Sequence, residues 1–207
     1  MLPAAERMVS SVVAKVIVFC AALMPLIWLV SDVVLGRIGP DPGQEITERL
    51  GIAAFQLLLV TLLITPLKKM TGWSGWLRHR RMLGLFAFFY AVLHVFAFLQ
   101  LILGWGDLWA TFTRRPYIAL GAVAFVLMIP LALTSTKTMM KRMGRRWKPV
   151  HRLIYLSAIF AWLHFLWQAR SDVTEMVVYG LLLLALLFIR AYWFGVSSLV
   201  PLRKSRA

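Results

Sequence analysis

The sequence predicts an all-α polytopic membrane protein, six transmembrane helices in one bundle with both termini cytoplasmic. Three observations predict it. Hydrophobic residues make up 61% of the 207 positions, against about 45–50% in soluble domains. They gather in six runs, each near the roughly 20 residues that cross a bilayer. Lys and Arg concentrate in alternate loops between those runs, as membrane orientation requires. Six spans use up the chain, so residues 1–207 read as a single domain with no soluble domain beside it.

The first run, Val12–Leu35, resembles a signal peptide in position only. It is longer than an ordinary signal core, lacks a small-residue cleavage site and is followed by more spans, so it is expected to stay. Pro25 inside it is expected to bend it. Cys20, the one cysteine, has no disulfide partner and reads as a small packing residue. The second run is Ile52–Leu67 and the third is Met82–Leu103. The fourth, Pro116–Thr134, opens on a proline that a first helical turn accepts, and Pro130 near its end is a second bend candidate. The fifth, Val150–Trp167, follows Pro149, and the sixth is Met176–Phe194. No internal repeat is legible.

Orientation follows from charge. Lys68, Lys69, Arg78, Arg80 and Arg81 lie between the second and third runs. Lys137, Lys141, Arg142, Arg145, Arg146 and Lys148 lie between the fourth and fifth, and Arg203, Lys204 and Arg206 follow the sixth. The opposite loops carry only Arg37 and Arg49, Arg114 and Arg115, and Arg170, together with seven of the eight acidic residues, Glu6 excepted. The basic loops are therefore cytoplasmic. Trp73, Trp76, Trp105, Trp109, Trp167 and Trp193 fall near run ends, as an aromatic belt does. The net charge of +15 does not indicate nucleic acid, because it is dispersed over short loops instead of forming one soluble face. Contact with anionic lipid accounts for most of it.

Of four histidines, His79 falls in a basic loop, and His94, His151 and His164 lie in the third and fifth runs. Ionisable residues within a membrane are costly and mark sites. His94 lies 13 residues past Arg81 and His164 lies 15 past Pro149. At the helical rise both are roughly 20 Å deep from the cytoplasmic side. Two imidazoles at one depth on different helices can clamp one haem iron from opposite faces. His151, about 20 Å inward of His164 along the helix, suits a second cofactor. Thirteen residues leave those two side chains roughly 140° apart on an ideal helix, so a bend is needed for both to face one channel. Arg145, Arg146, Lys148 and Arg152 around His151 can donate to haem propionates or a flavin phosphate. Histidines can also serve as hydrogen-bonding glue between helices or as a proton relay. The lack of Asp, Glu or Lys deep in runs two to six argues against ion coupling, with Asp32 at the outer end of run one a weak exception. No phosphate-binding glycine loop, HExxH or nucleophile elbow is present.

Several stretches resemble the MsrQ family, formerly YedZ. They are Arg80-Arg81-Met82-Leu83-Gly84-Leu85, Thr113-Arg114-Arg115-Pro116-Tyr117, Leu131-Ala132-Leu133-Thr134-Ser135-Thr136, and Gly144-Arg145-Arg146-Trp147 through His151, Tyr155, His164 and Trp167. The resemblance runs from the first span to the sixth. It implies a bacterial inner-membrane, ferric-reductase-like subunit of a methionine sulfoxide reductase system. It further implies one haem b or two, an association with FMN, and electrons passing from the quinone pool to a periplasmic molybdopterin partner, MsrP. His94 and His164 match the family's haem-ligand positions and His151 its third histidine. Arg81, a further candidate cofactor contact, stands 13 residues before His94, where related ferric reductases carry another histidine. Two other readings stay open: a stand-alone membrane ferric or quinone reductase, and a non-redox helical transporter with packing histidines.

Overall fold

The computed structural model describes residues 4–168 and 173–199, with side chains over 12–168 and 173–193. The side chain of Glu6, together with Arg170, Asp172, Arg203, Lys204 and Arg206, invoked above for orientation, lies outside the described residues. All regular structure among the described residues is helical: α1 (Ala4–Val34), α2 (Pro42–Thr71), α3 (Trp76–Ala97), α4 (Leu108–Arg114), α5 (Pro116–Leu133), α6 (Lys137–Met143), α7 (Trp147–His151), α8 (Leu153–Gln168) and α9 (Thr174–Leu199). A π-helical stretch, Phe98–Leu103, continues α3. Six of these segments are long and apolar enough to cross a membrane.

Local chemistry sets the helix ends. Asp41 caps α2 by accepting from the Gln44 N–H, Pro42 occupies its first turn, and Gly72 closes it with φ of 69°. A left-handed residue at that position favours glycine. Asp107 caps α4 and Thr136 caps α6 in the same manner.

Two helix pairs carry the architecture, α2 along α3 and α5 along α8. Their shared core contains Phe55, Leu58, Leu59 and Leu62 of α2, Ala87 of α3, Met128 and Leu131 of α5, and Ile154 and Ala158 of α8. Leu183 and Leu186 of α9 complete it. Helix α1 lies on α2 and α3 and leaves Val16, Ile17, Ile27, Trp28 and Val34 exposed. In lipid, exposed apolar side chains carry no penalty. Cys20 is also exposed on α1, so it faces outward instead of packing as the sequence suggested.

Prolines inside helices are answered by neighbours. Pro25 lies inside α1, and the fully buried Tyr90 of α3 meets the helix beside it. Its hydroxyl accepts from the Leu26 N–H at 3.0 Å and donates to the Ala22 carbonyl at 2.9 Å, bridging these two backbone groups. Within a bilayer such groups need an internal partner. On the acidic side of the bundle, Arg49 pairs with Asp32 at 2.6 Å and with Glu45 at 2.5 Å. Asp32 therefore belongs to an ion network that joins α1 to α2. The histidine expected in a loop, His79, lies in the first turns of α3 and is buried. The helix begins at Trp76, ahead of the apolar run, because polar residues also propagate a helix once it packs.

Candidate functional site

Helices α3 and α8 bring His94 and His164 together, with ring centres 6.2 Å apart and planes at 75°. The Nδ1–H of His94 donates to the Thr47 carbonyl of α2 at 2.8 Å. The Nδ1–H of His164 donates to the Tyr117 carbonyl of α5 at 2.7 Å. A backbone carbonyl can only accept, so each ring holds its proton on Nδ1 and has Nε2 as its free lone pair. This is the orientation that a metal-ligating histidine takes from its surroundings. A metal–imidazole bond is about 2 Å, which sets the centres of two imidazoles on opposite sides of one ion about 6 Å apart. The observed separation fits a pair of axial ligands. No group of three or more His, Cys, Asp or Glu that could hold a bare metal ion occurs among the described residues. The pair thus suits a metal whose equatorial ligands arrive with it, as in haem.

Two glycines make room for the rings. A Cβ at Gly51 would lie 2.9 Å from His94 Nδ1, and one at Gly121 would lie 3.0 Å from the His164 ring. The arrangement occurs twice in the chain. In each copy the accepting carbonyl stands 47 residues before its histidine, with a glycine four residues after the carbonyl. Moving along the chain by 70 residues takes Thr47 to Tyr117, Gly51 to Gly121 and His94 to His164. The same step takes Phe55 to Phe125, Leu93 to Leu163 and Arg81 to His151. The two helix pairs are therefore equivalent halves around the histidines, a repeat too diverged to be legible as sequence.

His151 is placed differently. It ends α7, and a break of the helix separates it from α8, which begins at Leu153. Its Nε2 lies 3.0 Å from the Thr134 hydroxyl, and that hydroxyl donates to the Pro130 carbonyl at 2.6 Å. One hydroxyl has one hydrogen, so Nε2–H of His151 donates and Nδ1 is its free nitrogen. Trp147 stacks on the ring at 4.0 Å and donates from Nε1 to the Thr134 carbonyl. His151 and His164 both reach toward α5, but only His94 and His164 face each other.

The arginines separate by burial. Arg81, Arg145, Arg146 and Arg152 are exposed, and the hydrogen-bond partner of His151 is Thr134 instead. Arg80 of α3 is partly buried, and Arg190 of α9 is 4% exposed. Neither Arg80 nor Arg190 is among the residues that the histidine spacing singles out. Arg190 carried a signal, because a charge within an apolar run is itself a site marker. The Thr47 and Tyr117 carbonyls carried none, and Gly51 and Gly121 only that of mid-span glycines.

Residues 50–162 match the ferric reductase like transmembrane component family. Two relatives from Xanthomonas oryzae pv. oryzae, strains MAFF 311018 and KACC10331 / KXO85, are named protein-methionine-sulfoxide reductase heme-binding subunit MsrQ. Each is 43% identical over 196 residues, covering 91% of this chain and 90% of the relative. With its six apolar helices, the chain is a multi-pass membrane protein that belongs to the MsrQ family of ferric-reductase-like transmembrane subunits.

Proposed function

We propose that this chain is a haem-bearing electron-transfer subunit of the bacterial inner membrane. It passes electrons from the quinone pool to a periplasmic molybdopterin-containing methionine sulfoxide reductase that repairs oxidised proteins. The observation that carries the reading is the His94–His164 pair, with both Nδ1 protons held by backbone carbonyls and both Nε2 atoms available. Haem bound there supplies a one-electron carrier. The chain's own residues do the positioning. Thr47 and Tyr117 fix the tautomer and raise ligand basicity, Gly51 and Gly121 give the rings space, and the surrounding apolar core keeps water away. The name of the relatives supports haem as the group.

The orientation proposed from the basic loops puts this pair in the outer half of the membrane, where it suits delivery to a periplasmic partner. His151, with its free Nδ1, lies on the electron-entry side. There the exposed Arg81, Arg145, Arg146 and Arg152 can donate to the phosphate of FMN or to propionates of a second haem. The test uses membranes containing the chain, supplied with a reduced quinone analogue, with and without the molybdopterin partner. Methionine sulfoxide reduction is expected only when chain and partner are both present. Ferric-ion reduction by the chain alone, with no gain from the partner, would support a stand-alone reductase instead.

A further inference from the structure

Arg190 lies within the sixth span, yet its side chain does not reach out to water. It is 4% exposed. Nη1 donates to the Tyr155 hydroxyl of α8 at 2.7 Å, and Nη2 donates to the Leu62 carbonyl of α2. That carbonyl is available because Pro66, one helical turn on, has no N–H to bond it. The buried Nε–H of Arg190 has no partner. The guanidinium also packs against the Tyr155 ring, 5.4 Å from its centre. Hydrogen bonds thus hold the group in place but leave its charge unmatched. The ion pairs of Arg49 with Asp32 and Glu45 lie on the other side of the bundle. A buried charge without a counter-ion is costly.

We infer that Arg190 is the receptor for an anionic oxygen of a ring cofactor, carboxylate or phosphate, in the basic half of the bundle. An oxyanion there supplies the missing counter-charge and satisfies the orphaned Nε–H through charge-assisted bonds. The carboxylate source is a haem propionate and the phosphate source is FMN. The inference rests on the cofactor-bearing function proposed above. Enclosure of Arg190 by α2 and α8 favours a bound cofactor over a lipid headgroup.

The experiment uses the purified full chain, wild type and Arg190→Gln, with Arg142→Gln, an exposed arginine of α6, as control. Binding of FMN is compared with that of riboflavin, which lacks the phosphate. Haem affinity is measured with native haem and with haem dimethyl ester, which lacks the carboxylates. If phosphate is the ligand, the wild type prefers FMN, and Arg190→Gln weakens FMN on the order of tenfold or more without changing riboflavin. If carboxylate is the ligand, flavin binding is unmoved, the wild type holds native haem more tightly than the ester, and Arg190→Gln removes that preference. Should Arg190→Gln fail to accumulate, Arg190→Lys, which keeps the charge and loses the guanidinium fork, is expected to weaken the same ligand. Equal wild-type affinity for FMN and riboflavin, together with equal affinity for haem and its ester, would overturn the inference whatever the variants do. A wild-type chain without any haem or flavin would sink the proposed function instead.

Discussion

The two ligand-like histidines depend on atoms that are not side chains. His94 takes its orientation from the Thr47 carbonyl and His164 from the Tyr117 carbonyl, while Gly51 and Gly121 leave the rings their space. Gly51→Val or Gly121→Val would drive a side chain into the ring beside it. Either is expected to weaken haem retention by about ten- to a hundredfold, the usual penalty for disturbing a ligand's support. Haem per chain after purification measures it, with preserved helicity by circular dichroism showing that the fold survives. The histidines were legible in the sequence because an imidazole at membrane depth is rare and costly. Their supports were not, because a carbonyl acceptor has no residue type and shows itself only once α2 is paired with α3 and α5 with α8. Arg190 was legible in principle as a charge within a run. What the run could not show is that the side chain turns inward to the carbonyl that Pro66 leaves unbonded.

Helices α1 and α8 are tied to their neighbours by polar contacts. The Tyr90 hydroxyl bridges the Leu26 N–H and the Ala22 carbonyl beside Pro25 of α1. Tyr90→Phe removes a donor and an acceptor at once and is expected to destabilise the chain by about 1 kcal/mol, in the range of interhelical hydrogen bonds in membranes. Unfolding in mixed detergent micelles measures it, and an unchanged midpoint would show that the bridge contributes nothing. The break between α7 and α8 places His151 on Thr134 and under Trp147. If His151 serves the entry side, His151→Ala slows electron delivery to the partner while the outer haem stays bound and chemically reducible. Wild-type turnover in that variant, with cofactor content unchanged, would remove His151 from the path. Pro25 was legible from sequence as a proline inside α1. The partner that meets the helix there, 64 residues away along the chain, is set by packing and could not be read.

The molecule as a whole is two equivalent helix pairs joined around one histidine pair, with α1 and α9 outside them. Composition and the six apolar runs were enough to read its class, since a bilayer admits few solutions for such a chain. The correspondence between the two pairs was not legible, because few identities beyond the ring, its glycine, Phe55/Phe125 and Leu93/Leu163 mark it. Orientation is set by Lys and Arg. Reporter fusions after Leu67 and Thr136 are expected to read cytoplasmic and those after Leu103 and Trp167 periplasmic. A periplasmic signal from the Lys137–Lys148 loop would reverse the direction of the whole path. The reading stands or falls on whether His94 and His164 hold one iron between them. The most direct measurement is the reduced-minus-oxidised visible spectrum of the purified chain beside His94→Ala and His164→Ala. The wild type should show a low-spin b-type haem, and both variants should lose or shift that signal alike, since either change removes a ligand from the same iron. A wild-type low-spin spectrum and full haem content in both variants would contradict the account.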